Sequence, residues 1–94
     1  MTVKNKPYLS VILPVYNESK TLPDVVSLCV ETLKNLGVEF EIIIVNDSSL
    51  DDTDHVVGKL MDQYNDSEIR FFRHPYNKGN GATVKTGIRA ARGE

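Results

Sequence analysis

Tryptophan is absent from the 94 residues, cysteine occurs once, and neither sign of charge dominates. With Cys29 alone, no internal disulfide can form and no cysteine pair exists to begin a zinc site, so a reducing compartment is expected. Eleven Lys and Arg against thirteen Asp and Glu give a net charge of -2. The cations are scattered rather than clustered, which argues against nucleic acid as the main partner. No run approaches the roughly 18 consecutive apolar residues of a membrane span. The polar start, residues 1–6, lacks the apolar core of a signal peptide. The chain therefore reads as soluble and cytoplasmic. At 40% hydrophobic and 26% charged residues it has ordinary globular chemistry, and its length accommodates one small domain and excludes a second.

Hydrophobic periodicity divides the chain into three strands alternating with three helices. Residues 8–15 are β-branched and apolar and read as a strand ended by a polar turn. Residues 21–36 place Leu22, Val25, Val26, Cys29, Leu33 and Leu36 at helical spacing. Thr21 and Asp24 form a candidate capping box, and Gly37 is the stop. Residues 40–45, Phe-Glu-Ile-Ile-Ile-Val, form the near-continuous apolar run of a strand covered on both faces. A second capping box, Ser49 with Asp52, precedes Val56, Val57, Leu60, Met61 and Tyr64 at helical spacing. Residues 69–73 read as a third strand, and 82–92 as a helix burying Val84, Ile88 and Ala91. Strand and helix alternating in this way imply right-handed crossovers and an α/β fold with a parallel sheet. Doubly wound order would run 3-2-1 and leave one edge of the first strand open for a further strand or a second chain.

In such a sheet the segments after the three strands gather at the carboxyl ends, where open α/β folds bind ligands. They are residues 14–19, 46–52 and 77–81. Asp47 follows an apolar strand, so a rigid element holds a carboxylate that can accept from a nucleobase N–H or a ribose hydroxyl. Tyr16 offers a ring to wall a base or to pack on the first helix. Glu18 reads equally as a ligand contact or a solvated carboxylate. Asp51 and Asp52 read as first-turn carboxylates complementing a helix dipole, outside the site. Gly79 and Gly81 permit a tight turn without forming a dinucleotide fingerprint, and Lys78 can face a phosphate. His74 reads as an ordinary strand-end histidine. No nucleophilic triad or metal cluster stands out.

Three stretches, Ser10-Val-Ile-Leu-Pro14-Val-Tyr16-Asn17-Glu18, Glu41-Ile-Ile-Ile-Val45-Asn46-Asp47-Ser48-Ser49-Leu50-Asp51, and Asn77-Lys78-Gly79-Asn80-Gly81-Ala-Thr-Val-Lys-Thr-Gly87, together resemble the start of a family 2 glycosyltransferase. The similarity runs over residues 9–94 and is strongest to polyprenyl-phosphate sugar transferases, such as dolichol-phosphate mannosyl- or glucosyltransferase. It implies a GT-A fold, a Rossmann-like three-layer arrangement in which residues 1–94 are the amino-terminal nucleotide-binding part. By position, Pro14, Tyr16 and Glu18 would frame the base and ribose of a UDP- or GDP-linked sugar, with Val45 and Asp47 holding the base. The acceptor implied is a polyprenyl phosphate at the cytosolic membrane face, in cell-wall, polysaccharide or glycolipid biosynthesis. The family's Asp-x-Asp strand, which binds Mg or Mn on the diphosphate, would lie beyond Glu94. This portion alone is therefore expected to be inactive and to bind nucleoside diphosphate only in the millimolar range. Like charges 4 Å apart repel by about 4 kcal/mol at an effective dielectric of 20, and the metal normally offsets this. The alternative is a non-catalytic nucleotide-sugar-binding or subunit-forming module, oligomeric through the open edge of the first strand.

The family commonly has Asp-Asp-Gly-Ser where this chain has Asn46-Asp47-Ser48-Ser49, so Ser48 replaces a residue free to adopt positive φ. An alanine at Asp47 is expected to weaken donor binding by about 1–3 kcal/mol while leaving the fold nearly as stable.

Overall fold

The order of elements follows the periodicity: β1 (Leu9–Val15), α1 (Leu22–Leu36), β2 (Phe40–Asn46), α2 (Thr53–Gln63), β3 (Glu68–Arg73) and α3 (Asn80–Ala90). These elements come from a computed structural model, which describes residues 9–64 and 68–92. The start expected at Tyr8 lies outside the described residues. All pairings are parallel and the sheet order is β1-β2-β3, which is the expected 3-2-1 read from the other side. The other edge of β1 has no strand partner among the described residues.

Strand β2 is central because five of its seven residues are aliphatic or aromatic and both of its faces are covered. Ile42 and Ile44 join a core with Val15, Leu22, Val26, Val30, Val57, Leu60 and Ile69, which places α1 and α2 together on one face. Ile43 and Val45 alternate to the other face, where α3 packs on β1 and β2. Three layers result. No helix among the described residues is long and apolar enough to cross a membrane.

Helix α1 ends as its sequence predicts, at Gly37 in the left-handed region with φ +72°, its N–H returning to the last turn. Neither expected capping box forms. Thr21 makes no side-chain cap to α1 and instead donates to the Glu18 carbonyl, whereas α2 starts after Asp52, with Ser49 engaged elsewhere.

The buried face of α3 also differs from expectation. Ile88 is 60% exposed, and the residues that face the sheet are Thr83 and Gly87. A Cβ on Gly87 would lie 2.3 Å from Ile12 Cγ2, so the helix axis approaches β1 more closely than any side chain at that position allows. Small residues take the inward positions, and the larger Ile88 turns away.

Glu41 is fully buried at the amino end of β2, opposite the loop cluster. Ser10 Oγ donates to it at 2.6 Å, the Arg92 N–H at 2.7 Å and Arg70 Nη1 at 3.1 Å. Burial alone would raise its pKa, but these donors outweigh that and hold the carboxyl below its ordinary value. Arg70 Nη1 also donates to the Ala90 carbonyl, pinning the end of α3 to the sheet.

Candidate functional site

At the carboxyl edge the ladder continues one step past each strand. The Asp47 N–H donates to Val15 O at 2.8 Å and the His74 N–H to Asn46 O at 2.9 Å. Because Asn46 pairs with Arg73 in register, the residues that follow them, Asp47 and His74, emerge side by side. Both are buried, with 4% and 5% of their surface exposed.

Asp47 serves as the hub between the second and third loops. Its Oδ1 accepts from His74 Nδ1 at 2.8 Å and from the Lys78 N–H at 2.9 Å, and its Oδ2 accepts from the Gly79 N–H at 2.9 Å. Burial pushes the carboxyl pKa upward, but the donors at Lys78, His74 and Gly79 outweigh it and bring the group below its ordinary value. A carboxylate has about four acceptor positions, so three occupied ones leave about one for a ligand. The turn that brings Lys78 and Gly79 to the carboxylate passes through Gly79 at φ +92°, a conformation that favours glycine.

The first and second loops are braced by a separate set of bonds. Ser49 Oγ accepts from the Asn17 N–H at 2.9 Å and donates to Asn46 Oδ1 at 2.6 Å, while Asn17 Oδ1 accepts from the Leu50 N–H at 2.7 Å. Asn46 completes the chain by donating Nδ2 to Asp54 at 2.7 Å, and Arg73 pairs with Asp54 at 2.8 Å. Asp51 accepts from the Ser19 N–H at 3.1 Å and from Thr53, and the Thr53 hydroxyl is the main reason its carboxyl sits below the usual range. Asp51 is thus a brace between loops, not merely a partner of a helix dipole.

Asn17 and Ser48 hold φ of +53° and +61° in this brace. Asparagine tolerates the left-handed region well and serine poorly. Ser48→Gly is expected to raise stability by about 0.5–1 kcal/mol, read from urea denaturation midpoints; no gain would mean that Ser48 is not strained.

The braced loops enclose a cleft of about 220 Å³ lined by Pro14, Val15, Tyr16, Glu18, Asp47, Asn77, Gly79 and Thr83. Four of the five expected site residues, Pro14, Tyr16, Glu18 and Asp47, therefore meet at one place. Val45 does not line the cleft; its side chain is fully buried within the sheet. Tyr16 is 43% exposed, so its ring stands at the rim rather than packed beneath α1. Lys78 Nζ rests 5.3 Å from the centroid of the Tyr76 ring.

His74 corrects the expectation of an ordinary strand-end histidine, since it touches Asp47 through Nδ1 and Thr86 through Nε2 at 2.7 Å. Strand register alone could have paired it with Asp47; no local signal marks Thr86. Among the described residues no group of three or more His, Cys, Asp or Glu is placed to hold a metal ion, and the oxygens of Asp47 and Asp51 are turned to protein donors. The described residues do not fit the divalent cation that the family resemblance implies.

The comparisons with known proteins agree with this architecture. The chain is 39% identical over 100 residues to dolichyl-phosphate beta-glucosyltransferase ALG5D of Trichomonas vaginalis, covering 99% of this chain and 30% of that protein. It is 38% identical to the dolichyl-phosphate beta-glucosyltransferase of Dictyostelium discoideum, covering 93% and 28%, and 33% identical to the human one, covering 92% and 28%. The chain thus spans about 30% of the length of these relatives. Among solved structures, S. aureus TarS 1–349 superposes with a TM-score of 0.72 at 29% identity, over 92% of this chain and 25% of that one. The mannosyltransferase PcManGT from Pyrobaculum calidifontis, solved with GDP-Man and Mn2+, superposes with a TM-score of 0.67 at 23% identity, over 94% and 25%, and bears on the fold alone. The model of glycosyl transferase family 2 matches residues 10–94, and with nearly the whole chain inside that match and the GT-A sheet in place, this protein belongs to glycosyl transferase family 2.

Proposed function

We propose that this chain is the nucleotide-binding part of an enzyme that transfers a sugar from a nucleoside diphosphate to a polyprenyl phosphate at the cytosolic face of a membrane. The observation that carries the reading is the cleft at the carboxyl edge, where the aromatic Tyr16 and the buried acceptor Asp47 lie on loops locked to one another. Its 220 Å³ is below the about 300–1,000 Å³ of complete small-molecule sites, which suits one end of a nucleotide rather than a whole sugar donor. Pro14 and Tyr16 flank the base, Glu18 takes ribose hydroxyls, and the remaining acceptor position of Asp47 takes a base N–H. Family membership and the dolichyl-phosphate relatives favour this reading over a non-catalytic module. Membership of glycosyl transferase family 2 favours a divalent cation, Mg or Mn, on the diphosphate, for which the described residues offer no cluster of three or more His, Cys, Asp or Glu. The edge of β1 that has no strand partner among the described residues is where a further strand, or a second copy, would pair.

Titration of the ¹⁵N-labelled chain with UDP and with GDP tests the reading. The amides of Tyr16, Asn77 and Gly79 are expected to shift together and saturate with a Kd in the range of about 1 mM or weaker, a binding free energy near −4 kcal/mol. Shifts confined to other residues, or none at about ten times that concentration with either nucleotide, would overturn it.

A further inference from the structure

His74 is buried at 5% exposure, yet it does not line the cleft. Both of its ring nitrogens are committed, Nδ1 to Asp47 Oδ1 at 2.8 Å and Nε2 to Thr86 Oγ1 at 2.7 Å. Beside a carboxylate, which only accepts, Nδ1 carries the proton and donates. The Thr86 hydroxyl can turn toward Nε2 or toward the Ala82 carbonyl 3.1 Å away, so the ring is satisfied whether Nε2 is bare or protonated. The imidazole therefore joins three separate elements: the end of β3, the Asp47 carboxylate after β2, and the face of α3. Asp47 in turn is what the third loop hangs from, through Lys78 and Gly79.

We infer that His74, oriented by Thr86, is a positioning residue that sets the Asp47 carboxylate and through it the third loop against the cleft. The role in donor affinity rests on the nucleotide-binding reading above; the placing of the loop does not. A carboxylate on a buried strand end has two rotatable bonds, and its single free acceptor position points into the cleft only while the other three are filled. Of the three groups that fill them, His74 alone is a side chain fixed from behind by a second element. Loss of the imidazole lets the carboxylate turn, which releases the Lys78 amide and leaves the Gly79 amide only its second acceptor, Asn77 Oδ1 at 3.0 Å.

Two readouts on the full ¹⁵N-labelled chain test this: hydrogen exchange at the Lys78 and Gly79 amides without ligand, and titration with UDP and GDP. In His74→Phe, which keeps ring bulk and removes both nitrogens, exchange at those amides is expected to accelerate about tenfold relative to Ile43 and Ile44, and nucleotide affinity to fall about tenfold. His74→Asn, whose side-chain amide can replace Nδ1–H, is expected to recover both to within about threefold. The near-isosteric Thr86→Val is expected to move both in the same direction by about threefold, and it carries the test alone if His74→Phe does not fold. Unchanged exchange and affinity in the folded variants would overturn the inference, as would failure of His74→Asn to recover what His74→Phe loses, which would assign His74 to packing. Accelerated exchange in a chain that binds neither nucleotide would uphold the positioning role and remove the nucleotide-binding reading instead.

Discussion

Alanine at Asp47 is expected to lower stability by about 2–4 kcal/mol, a fall in Tm of on the order of 10–20 °C for a domain of this size, together with loss of measurable nucleotide binding. The carboxylate is the acceptor for three donors, and only Gly79 has another acceptor at hand, Asn77 Oδ1 at 3.0 Å. The part-buried Lys78 N–H and the buried His74 Nδ1–H lose this partner; a buried donor so abandoned costs about 1–3 kcal/mol, and the Lys78 N–H, within reach of water, costs less. The sequence alone predicts that the same substitution spares the fold, because it shows Asp47 only as a ligand contact. The hub geometry makes site and scaffold inseparable at this residue. A Tm within about 2 °C of the wild type would show that the hub contributes little.

The same carboxylate predicts an acid dependence. Its folded pKa lies below the ordinary value, so its contribution is fully present above the unfolded value of about 4 and is lost as pH falls through the lowered folded value. Glu41 carries the same sign. The Tm should hold between about pH 7 and 5 and fall below about pH 4, with Asp47→Ala showing a shallower acid slope that Glu41 keeps from vanishing.

Gly87→Ala is the second large effect, expected to destabilise by about 1–3 kcal/mol despite the roughly 1 kcal/mol that alanine gains over glycine in a helix. The added Cβ meets Ile12 Cγ2 at 2.3 Å, with Cγ1 and Cδ1 at 3.1 and 3.2 Å. Isoleucine is β-branched and stiff at χ1, so it cannot simply swing aside, and α3 must lift from β1. Lifting α3 carries Thr86 away from His74 and widens the cleft at Thr83. A double-mutant cycle with Ile12→Ala checks the cause: in that background the Gly87→Ala cost should vanish or reverse, because the methyl enters space that Ile12 has left. A cost unchanged by Ile12→Ala would place the strain elsewhere.

Much of the architecture was legible because it depends on short-range regularities. The apolar run of β2, the helical spacing of Leu22, Val26 and Leu33, and Gly37 at a left-handed stop each act within a few residues. The capping boxes failed for a related reason. Thr21 and Ser49 are the right residue types for caps, but their hydroxyls found partners in neighbouring loops, Glu18 O for one and Asn46 and Asn17 for the other. A cap motif states what a side chain can do locally and not which of several partners it takes. On α3 the large residues drew attention, whereas close approach to β1 required the small ones, Gly87 and Thr83.

By itself, then, the sequence determined the alternation of strands and helices, their parallel pairing and the gathering of Pro14, Tyr16, Glu18 and Asp47 at one edge, which follow from periodicity and turn chemistry along the chain, while the family rests on the resemblance carried by its three motifs. Only the tertiary structure decided what Asp47 does there. Its partners His74, Lys78 and Gly79 stand 27 to 32 positions away, and the support of Thr86 arrives from helix α3. Likewise the acid of Glu41 is tolerated at the buried amino end of an apolar strand only because Ser10, Arg70 and Arg92 converge on it from three other segments. Hydrogen bonds between distant segments depend on strand register and helix height, and these are settled when the layers pack.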